Sequence, residues 1–395
     1  MLSILAKIRL VMTRGVLYPL LYLFGIGIKV DPKLILFTAF NGSAYSDNPR
    51  YIFEYMLADE QYRDYQFIWA FKDKQLLEGA KTVKFNSIKY YYYLSKAKYW
   101  VFNAKMAPYY YKKNAQVYLQ TWHGTPLKRL GHDIVDNGAT YYRSKQSYQQ
   151  MVKSYDNDSR HWDYLIASSP FSCQVFSTAF AFPKEKMLKI GYPRVDYLLT
   201  VMSENILELK QRYHLPLDKK IILYAPTWRD QSFGNNGYTF ELSVDFYKWQ
   251  EVLGDEYVIL FKPHYLISNS YQCPEELHDF VYLMAANEDI NDAYLISDIL
   301  ITDYSSVFFD YTVLNRPIYF YMYDFAYYEQ ELRGFYLDVP EELPNDIVQT
   351  EALLLQQLQA DKFDFKRLAR FNQKFNPWYD GLVLEKLIKE VFDEI

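Results

Sequence analysis

The sequence predicts an α/β protein built from two doubly wound domains. Short apolar segments alternate with helical patterns in two successive series, as strands and crossover helices of parallel sheets do. Polar residues follow the carboxyl ends of several strands, where open parallel sheets bind ligands. The chain has 395 residues, 50% of them hydrophobic, which is enough for two cores.

The predicted strands fall into two groups along the chain. The first group comprises residues 34–38, 66–71, 99–102, 117–120 and 164–167. The second group comprises residues 221–224, 258–261, 281–284, 299–302 and 318–321. A turn-rich GYPRVD segment and a charged helical pattern at 203–213 separate the groups. We therefore divide the chain into an N-terminal segment (1–30), a first domain (31–205), a second domain (206–372) and a C-terminal helix (373–395).

Charge and cysteine content exclude several classes of protein. The net charge of −5 argues against nucleic-acid binding. Cys173 and Cys273 lie far apart, so no disulfide framework is indicated, and no Cys/His cluster has zinc spacing. The chain has 41 Tyr and 27 Phe, which favours amphipathic surfaces. These features are typical of a protein from a reducing cytoplasm.

The N-terminal segment is apolar between residues 16 and 28 and has basic flanks at Lys7, Arg9, Arg14 and Lys29. It is shorter than the ~20 residues of a spanning helix. A signal peptide, a buried first helix and a monotopic membrane contact all fit this outline. The basic flanks favour the membrane contact, because they would meet anionic lipid.

The segment SDILITDYSSVFFD places hydroxyl groups between a strand and a helix. Thr302 ends the strand, Asp303, Ser305 and Ser306 follow, and a helical pattern begins at Val307. The first N–H groups of a helix lack internal partners, so such a helix start suits a phosphate group. An ordinary helix cap is the alternative.

Three further strands are followed by polar residues. His123, Gly124 and Thr125 come after VYLQ, with a helical turn expected at 126–129. Thr227 and Arg229 come after IILY, and Lys262 and His264 come after VILF. Each residue alone has a structural explanation. Because all of them follow the carboxyl ends of strands in the two sheets, together they could bind a diphosphate and deprotonate a hydroxyl.

The motifs resemble those of the CDP-glycerol:poly(glycerophosphate) glycerophosphotransferases, which build wall teichoic acid. The matching segments are YSDNP (45–49), YLQTWHGTPLKRLG (118–131), GYPRVD (191–196), YAPTWRD (224–230), FKPH (261–264), SDILITDYSSVFFDY (297–311), NRPIYFY (315–321) and RGFYLD (333–338). The combination of HGTP, APTWR and TDYSS is specific, and the matches extend over the chain from about residue 34.

The resemblance implies a GT-B-like pair of Rossmann-type domains, an acceptor domain followed by a CDP-donor domain, and assigns roles to residues of several motifs. His123 is expected to be the catalytic base, and His264 a second catalytic residue that contacts the donor phosphates. The remaining donor-side residues are expected to be Thr227, Arg229, Lys262, Thr302, Asp303, Ser305, Ser306 and Asp310. The acceptor-side residues are expected to be Tyr45, Ser46, Asp47, Asn48, Gly124 and Thr125. No metal or cofactor is expected.

The resemblance also implies a reaction and its partners. Glycerol phosphate, or ribitol phosphate, would pass from a CDP-polyol to a lipid-linked saccharide or polyol-phosphate acceptor, at the cytoplasmic face of the membrane, with peripheral attachment. The chain length suits a primase-like member, although short polymerases and capsule enzymes have similar lengths. The alternatives are a nucleotide-sugar GT-B glycosyltransferase, for which Asp310 and Glu329 are candidate ribose ligands, and a non-enzymatic scaffold.

Overall fold

The computed structural model describes most of the chain and forms two parallel β-sheets. The described residues are 15–16, 18–107, 110–136, 147–227, 233–234, 237–238, 242–263, 271–285, 287–326, 334–339 and 341–393. The first sheet ends at residue 189 and the second begins at residue 220, on either side of the predicted boundary. The predicted architecture of two Rossmann-like α/β domains is confirmed.

The first domain contains a seven-stranded parallel sheet in the order β3-β2-β1-β4-β5-β6-β7. Its strands are β1 (Asp31–Thr38), β2 (Gln66–Phe71), β3 (Lys81–Lys84), β4 (Ala97–Phe102), β5 (Val117–Gln120), β6 (Tyr164–Ala167) and β7 (Met187–Lys189). Its helices are α1 (Tyr18–Ile26), α2 (Asp47–Ala58), α3 (Ile88–Lys96), α4 (Tyr148–Ser159), α5 (Pro170–Ala179), α6 (Pro193–Thr200) and α7 (Ser203–Arg212). The central strands are buried on both faces, which explains their unbroken apolar sequences.

The second domain contains a six-stranded parallel sheet in the order β12-β11-β8-β13-β14-β15. Its strands are β8 (Lys220–Ala225), β11 (Tyr257–Phe261), β12 (Val281–Leu283), β13 (Ile299–Thr302), β14 (Ile318–Tyr321) and β15 (Ile347–Val348); β9 (Phe233–Gly234) and β10 (Gly237–Tyr238) form an antiparallel pair. The helices are α8 (Phe246–Leu253), α9 (Ile290–Ile296), α10 (Val307–Tyr311), α11 (Glu351–Ala360), α12 (Phe365–Phe375) and α13 (Val383–Val391).

The predicted strands are found, and five of them have the predicted bounds: β2, β5, β6, β13 and β14. Three strands of the two sheets were not predicted, namely β3, β7 and β15, and each lies at the edge of its sheet. An edge strand is partly exposed and mixes polar with apolar residues, so it lacks the continuous apolar pattern on which the prediction depends.

The C-terminal helix α13 returns to the first domain. Its residues Leu387 and Val391 lie in the hydrophobic core of that domain. The Asp196 carboxylate fixes the approach, because it accepts the backbone N–H groups of Gly381 at 2.8 Å and Val383 at 2.9 Å. These bonds tie α6 to the end of the chain, so the chain passes between the two domains twice.

Helix α1 lies on the surface beside α3 rather than inside the first core. Leu20 is 58% exposed and Leu23 is 65% exposed, whereas Gly25 is buried against Ser95. The alternative of a buried first helix is therefore wrong for the described part of this segment. Among the described residues, no helix is both long enough and apolar enough to cross a membrane.

Candidate active site

Loops at the carboxyl ends of both sheets line an open cleft with a cavity volume of about 430 Å³. His123 and Gly124, after β5, lie on the wall formed by the first domain. Thr227, after β8, and Ser305 and Ser306, after β13, lie on the wall formed by the second domain. The structure thus brings together residues from three of the four predicted strand-end motifs.

The imidazole of His123 is held in one orientation. Its Nδ1 lies 2.6 Å from the carbonyl oxygen of Asn103. A carbonyl can only accept, so Nδ1 carries the proton and Nε2 carries the lone pair. The ring stacks on Trp122 at 4.5 Å between centroids and meets the edge of Phe40 at 5.7 Å. His123 therefore has the tautomer of a general base.

The surroundings of His123 keep it neutral at pH 7. The His123 side chain is exposed at the cleft, and desolvation by the surrounding protein atoms lowers the pKa of His123. The Asn103 carbonyl and the charge of Asp47 oppose this change, and the charge of Arg194 adds to it. A neutral imidazole is the form that can take a proton from a hydroxyl.

The loop that carries His123 is strained and tightly held. Trp122 has a φ of 53°, which is unusual for a bulky residue. The Asn48 side-chain amide donates to the Trp122 carbonyl at 3.2 Å, and the Tyr192 hydroxyl donates to the Gly124 carbonyl at 3.0 Å. These bonds supply the tertiary contacts that such a conformation requires.

The other predicted acceptor-side residues lie behind this loop. The Thr125 hydroxyl is 2.9 Å from that of Ser168, and both are buried. The Tyr45 hydroxyl donates to Glu54 at 2.9 Å, and Ser46 is buried immediately before α2. The Thr125 contact holds the histidine loop, whereas the Tyr45 contact lies within the α2 region. Acceptor binding by these side chains stays a prediction.

A buried ion cluster joins the domains beneath the cleft. The Arg194 guanidinium on α6 donates to Asp47 on α2, and its Nε and Nη2 donate to Asp310 on α10 at 3.1 and 2.7 Å. Burial raises the pKa of Asp310, and the guanidinium opposes the rise. Asp310 was predicted to bind the donor, but it is only 4% exposed and its carboxylate is engaged by Arg194. Asp310 therefore lies at the domain interface, and its predicted roles in binding the donor or a ribose stay predictions.

The wall of the cleft that the second domain forms is called the donor wall below. Its residues Thr302 and Asp303 are buried and make contacts within the protein. The Thr302 hydroxyl donates to the Ala225 carbonyl at 2.8 Å, and Asp303 accepts the Thr227 N–H at 2.7 Å. These bonds fix the loop after β8 against the loop after β13. Direct binding of a donor by these two side chains stays a prediction.

The hydroxyls of Ser305 and Ser306 lie at the cleft, with both residues partly exposed. Helix α10 has only five residues, so its dipole is weaker than the sequence suggested. The Ser305 hydroxyl also accepts the Val307 N–H at 3.4 Å. Any anion bound here would depend mainly on side-chain donors and loop N–H groups.

Lys262 lies at the end of β11, and its ammonium donates to the carbonyls of Ala285 and Glu288, both at 3.0 Å. Burial lowers the pKa of Lys262 to about 8. These contacts fix the loop before α9. Arg229, His264 and the alternative candidate Glu329 lie outside the described residues, so their predicted roles stay predictions.

Two features differ from the sequence analysis. The helical turn expected at 126–129 is wrong: Leu127 and Arg129 pair with the backbone of residues 334–336 instead. Asn103 and the Arg194 cluster were missed, since Asn103 belongs to no motif and Arg194 was noted only within GYPRVD. Within the described ranges, no group of three or more His, Cys, Asp or Glu side chains is placed to hold a metal ion.

Paired parallel-sheet domains that face a cleft, with polar motifs on both walls, define a GT-B-like protein. The chain belongs to the CDP-glycerol:poly(glycerophosphate) glycerophosphotransferase family, whose model matches residues 20–393. This confirms the resemblance found from the motifs.

Individual relatives give the same result. The chain is 42% identical over 362 residues to a teichoic acid poly(glycerol phosphate) polymerase of Staphylococcus epidermidis, covering 89% of this chain but only 48% of that protein. It is 40% identical over 375 residues to a teichoic acid glycerol-phosphate transferase of Staphylococcus aureus, covering 92% and 93%. The structure of the wall teichoic acid polymerase TagF superimposes with a TM-score of 0.87 and 37% identity, covering 98% of this chain and 96% of that one.

Proposed function

We propose that this protein transfers glycerol phosphate from CDP-glycerol to a hydroxyl group of a lipid-linked acceptor in teichoic acid synthesis. The observation that carries the proposal is the position of His123, whose Nδ1 is committed to Asn103 while its Nε2 can accept a proton in the cleft. The names of the relatives supply the substrate class: two are glycerol-phosphate enzymes of teichoic acid.

The chemistry follows from this arrangement. Nε2 of His123 takes the proton of the acceptor hydroxyl, and the oxygen attacks the β-phosphorus of the CDP-polyol in line. The new P–O bond forms as the bond to the bridging oxygen breaks, and CMP leaves with the electron pair. Ser305, Ser306 and the predicted donors Arg229 and His264 would stabilise the charge on the phosphates.

The experiment that tests the proposal measures the nucleotide released by purified protein, CMP from a CDP-polyol or UDP from a UDP-sugar. CDP-glycerol, CDP-ribitol and a UDP-sugar are each supplied with a lipid-linked acceptor. We expect CMP and an extended acceptor with CDP-glycerol. Turnover of the UDP-sugar alone would show a glycosyltransferase, and turnover of none, with correctly folded protein, would favour a scaffold.

A membrane contact by the N-terminal segment is part of the proposal. The outer face of α1 exposes Leu20, Leu23, Phe24 and Ile26, each by 44% or more. An apolar helix surface of this kind suits the boundary between headgroups and acyl chains. Peripheral binding at the cytoplasmic face would bring the cleft to an acceptor that is held in the lipid.

A further inference from the structure

The contacts behind His123 form a continuous path to a buried carboxylate. His123 Nδ1 donates to the backbone carbonyl of Asn103, and the side-chain amide of Asn103 donates to Oδ2 of Asp47. The side-chain oxygen of Asn103 accepts the N–H of Phe40 at 2.7 Å. Asn103 is fully buried and Asp47 is 4% exposed. The residue that orients the imidazole is thus itself held from both ends of its side chain.

Asp47 is held in place by its own partners. Its Oδ1 accepts from Arg194, which also binds Asp310 through two nitrogens. Asp47 has a φ of 62°, so its backbone conformation is strained as well. A strained backbone persists only where surrounding contacts determine its conformation. For Asp47 those contacts are the bonds to Arg194 and to Asn103, the residue that holds the imidazole of His123.

The charges of the cluster do not balance without His123. Arg194 contributes one positive charge, and Asp47 and Asp310 contribute one negative charge each, so the buried groups carry a net charge of about −1 when ionised. When His123 takes a proton, the four groups together become neutral. The negative charge of Asp47 thus favours the imidazolium, against the desolvation that lowers the pKa of His123.

We propose that Asp47 is a positioning residue for His123: acting through Asn103, it orients the imidazole and stabilises the imidazolium that proton transfer creates. Asp310 and Arg194 keep Asp47 in this position, and their own role is to join the domains. The proposal rests on the proposed function, in which His123 is the base, and it adds a residue that the sequence analysis had placed on the acceptor side.

The matched variants are Asp47→Asn and Asp310→Asn. Each removes one carboxylate charge from Arg194, and the two carboxylates are equally buried, so both should lower thermal stability to a similar degree. Only Asp47 is bonded to Asn103. The charged groups that act on His123 are Asp47, which favours the imidazolium, and Arg194, which opposes it. Asp310 is absent from the path.

The measurement is an NMR titration of the histidine side chains in the full chain. The chain has six histidines, and the His123 signal is identified by its loss in His123→Gln. We expect Asp47→Asn to move the His123 titration clearly to lower pH and Asp310→Asn to move it much less, because Asp310 is bonded to Arg194 and not to Asn103. An unchanged titration in Asp47→Asn, or an equal shift in both variants, would overturn the proposal.

Two additions keep the test decisive. If Asp47→Asn does not fold, Asn103→Ala removes the bonds from the Asn103 side chain to Asp47 and Phe40 while leaving both ion pairs and the carbonyl that His123 contacts. A smaller shift to lower pH is then expected, because the carbonyl is no longer held in place; no shift would refute the path. In the activity assay, Asp47→Asn should lower kcat by about 10- to 100-fold, as loss of a histidine's supporting partner does elsewhere, with little change in KM for the donor. The NMR titration needs no turnover, so a failure of the proposed function would appear separately, as absent CMP release by the wild-type protein.

Discussion

The Oγ atom of Ser306 lies 3.2 Å from the position that a Cβ atom on Gly124 would occupy. Gly124 follows the histidine in the HGTP motif of the first domain, and Ser306 belongs to the TDYSS motif of the second. The backbone at Gly124 also has a φ of 155°, which side-chain-bearing residues rarely adopt. The two motifs therefore meet at the cleft without a side chain between them.

This contact gives the first prediction. Gly124→Ala should force Ser306 to move and strain the histidine loop, so kcat/KM should fall by more than about 10-fold, as small displacements of reacting groups do. The melting temperature should fall by only a few degrees, because the loop borders an open cleft. A melt that collapses completely would show that Gly124 serves folding instead.

Replacement of His123 by Gln should nearly abolish transfer. Loss of a general base costs about 10²- to 10⁴-fold in rate. Binding of CDP-glycerol should change little, because His123 lies on the wall opposite the donor motifs. Single-turnover CMP release and calorimetric binding measure the two effects. Turnover within a few-fold of wild type would contradict the assignment.

The pH dependence should reflect a histidine with a lowered pKa. The neutral ring is the active form, so kcat/KM should decrease as the pH falls through the His123 pKa. Because desolvation places that pKa below 6.5, the acid limb should have its midpoint below 6.5. A pH series of initial rates with saturating acceptor measures it. A midpoint clearly above 6.5 would contradict this prediction, because it would mean that the surroundings raise the pKa of His123.

Substitutions on the donor wall should weaken the binding of CDP-glycerol, which carries the diphosphate, more than the binding of cytidine, which lacks it. The double change of Ser305 and Ser306 to Ala should weaken CDP-glycerol binding by about 10-fold, the equivalent of one hydrogen bond of ~1.4 kcal/mol to a charged group. Arg229→Ala and His264→Ala should act in the same direction and more strongly. Binding of cytidine is the control in each case, and equal losses for both ligands would point to folding or base recognition.

Substitutions of two leucines, one exposed and one buried, can distinguish an effect on membrane binding from an effect on folding. Leu20→Asp changes an exposed residue of α1, whereas Leu94→Asp changes a residue of α3 that is 4% exposed. Leu20→Asp should reduce co-sedimentation with anionic vesicles and leave the thermal melt nearly unchanged, while Leu94→Asp should collapse the melt. Changing Lys7, Arg9 and Arg14 to Gln should also reduce sedimentation. Undiminished vesicle binding by all these variants would refute the membrane contact.

The sequence by itself determined the two-domain α/β architecture, most strands and the family. Buried parallel strands need continuous apolar stretches, so their positions are readable from a single chain, and strand-end motifs identify the end of the sheet at which ligands bind. Edge strands such as β3 and β15 were not predicted, because a partly exposed strand does not need a continuous apolar sequence. The turn at 126–129 was misread because its backbone pairs with residues distant in sequence, which no local pattern records.

Only the tertiary structure decided which polar residues serve the cleft and which serve the interface. Asp310 and Asp47 looked like ligand residues in their motifs, yet Arg194 binds both of them in the interior. Asn103 carried no signal, because its contact with His123 uses a backbone carbonyl that every residue possesses. A motif shows that a side chain is polar and near the end of a strand. Whether it meets solvent, a ligand or a buried charge depends on packing between domains that lie far apart in sequence.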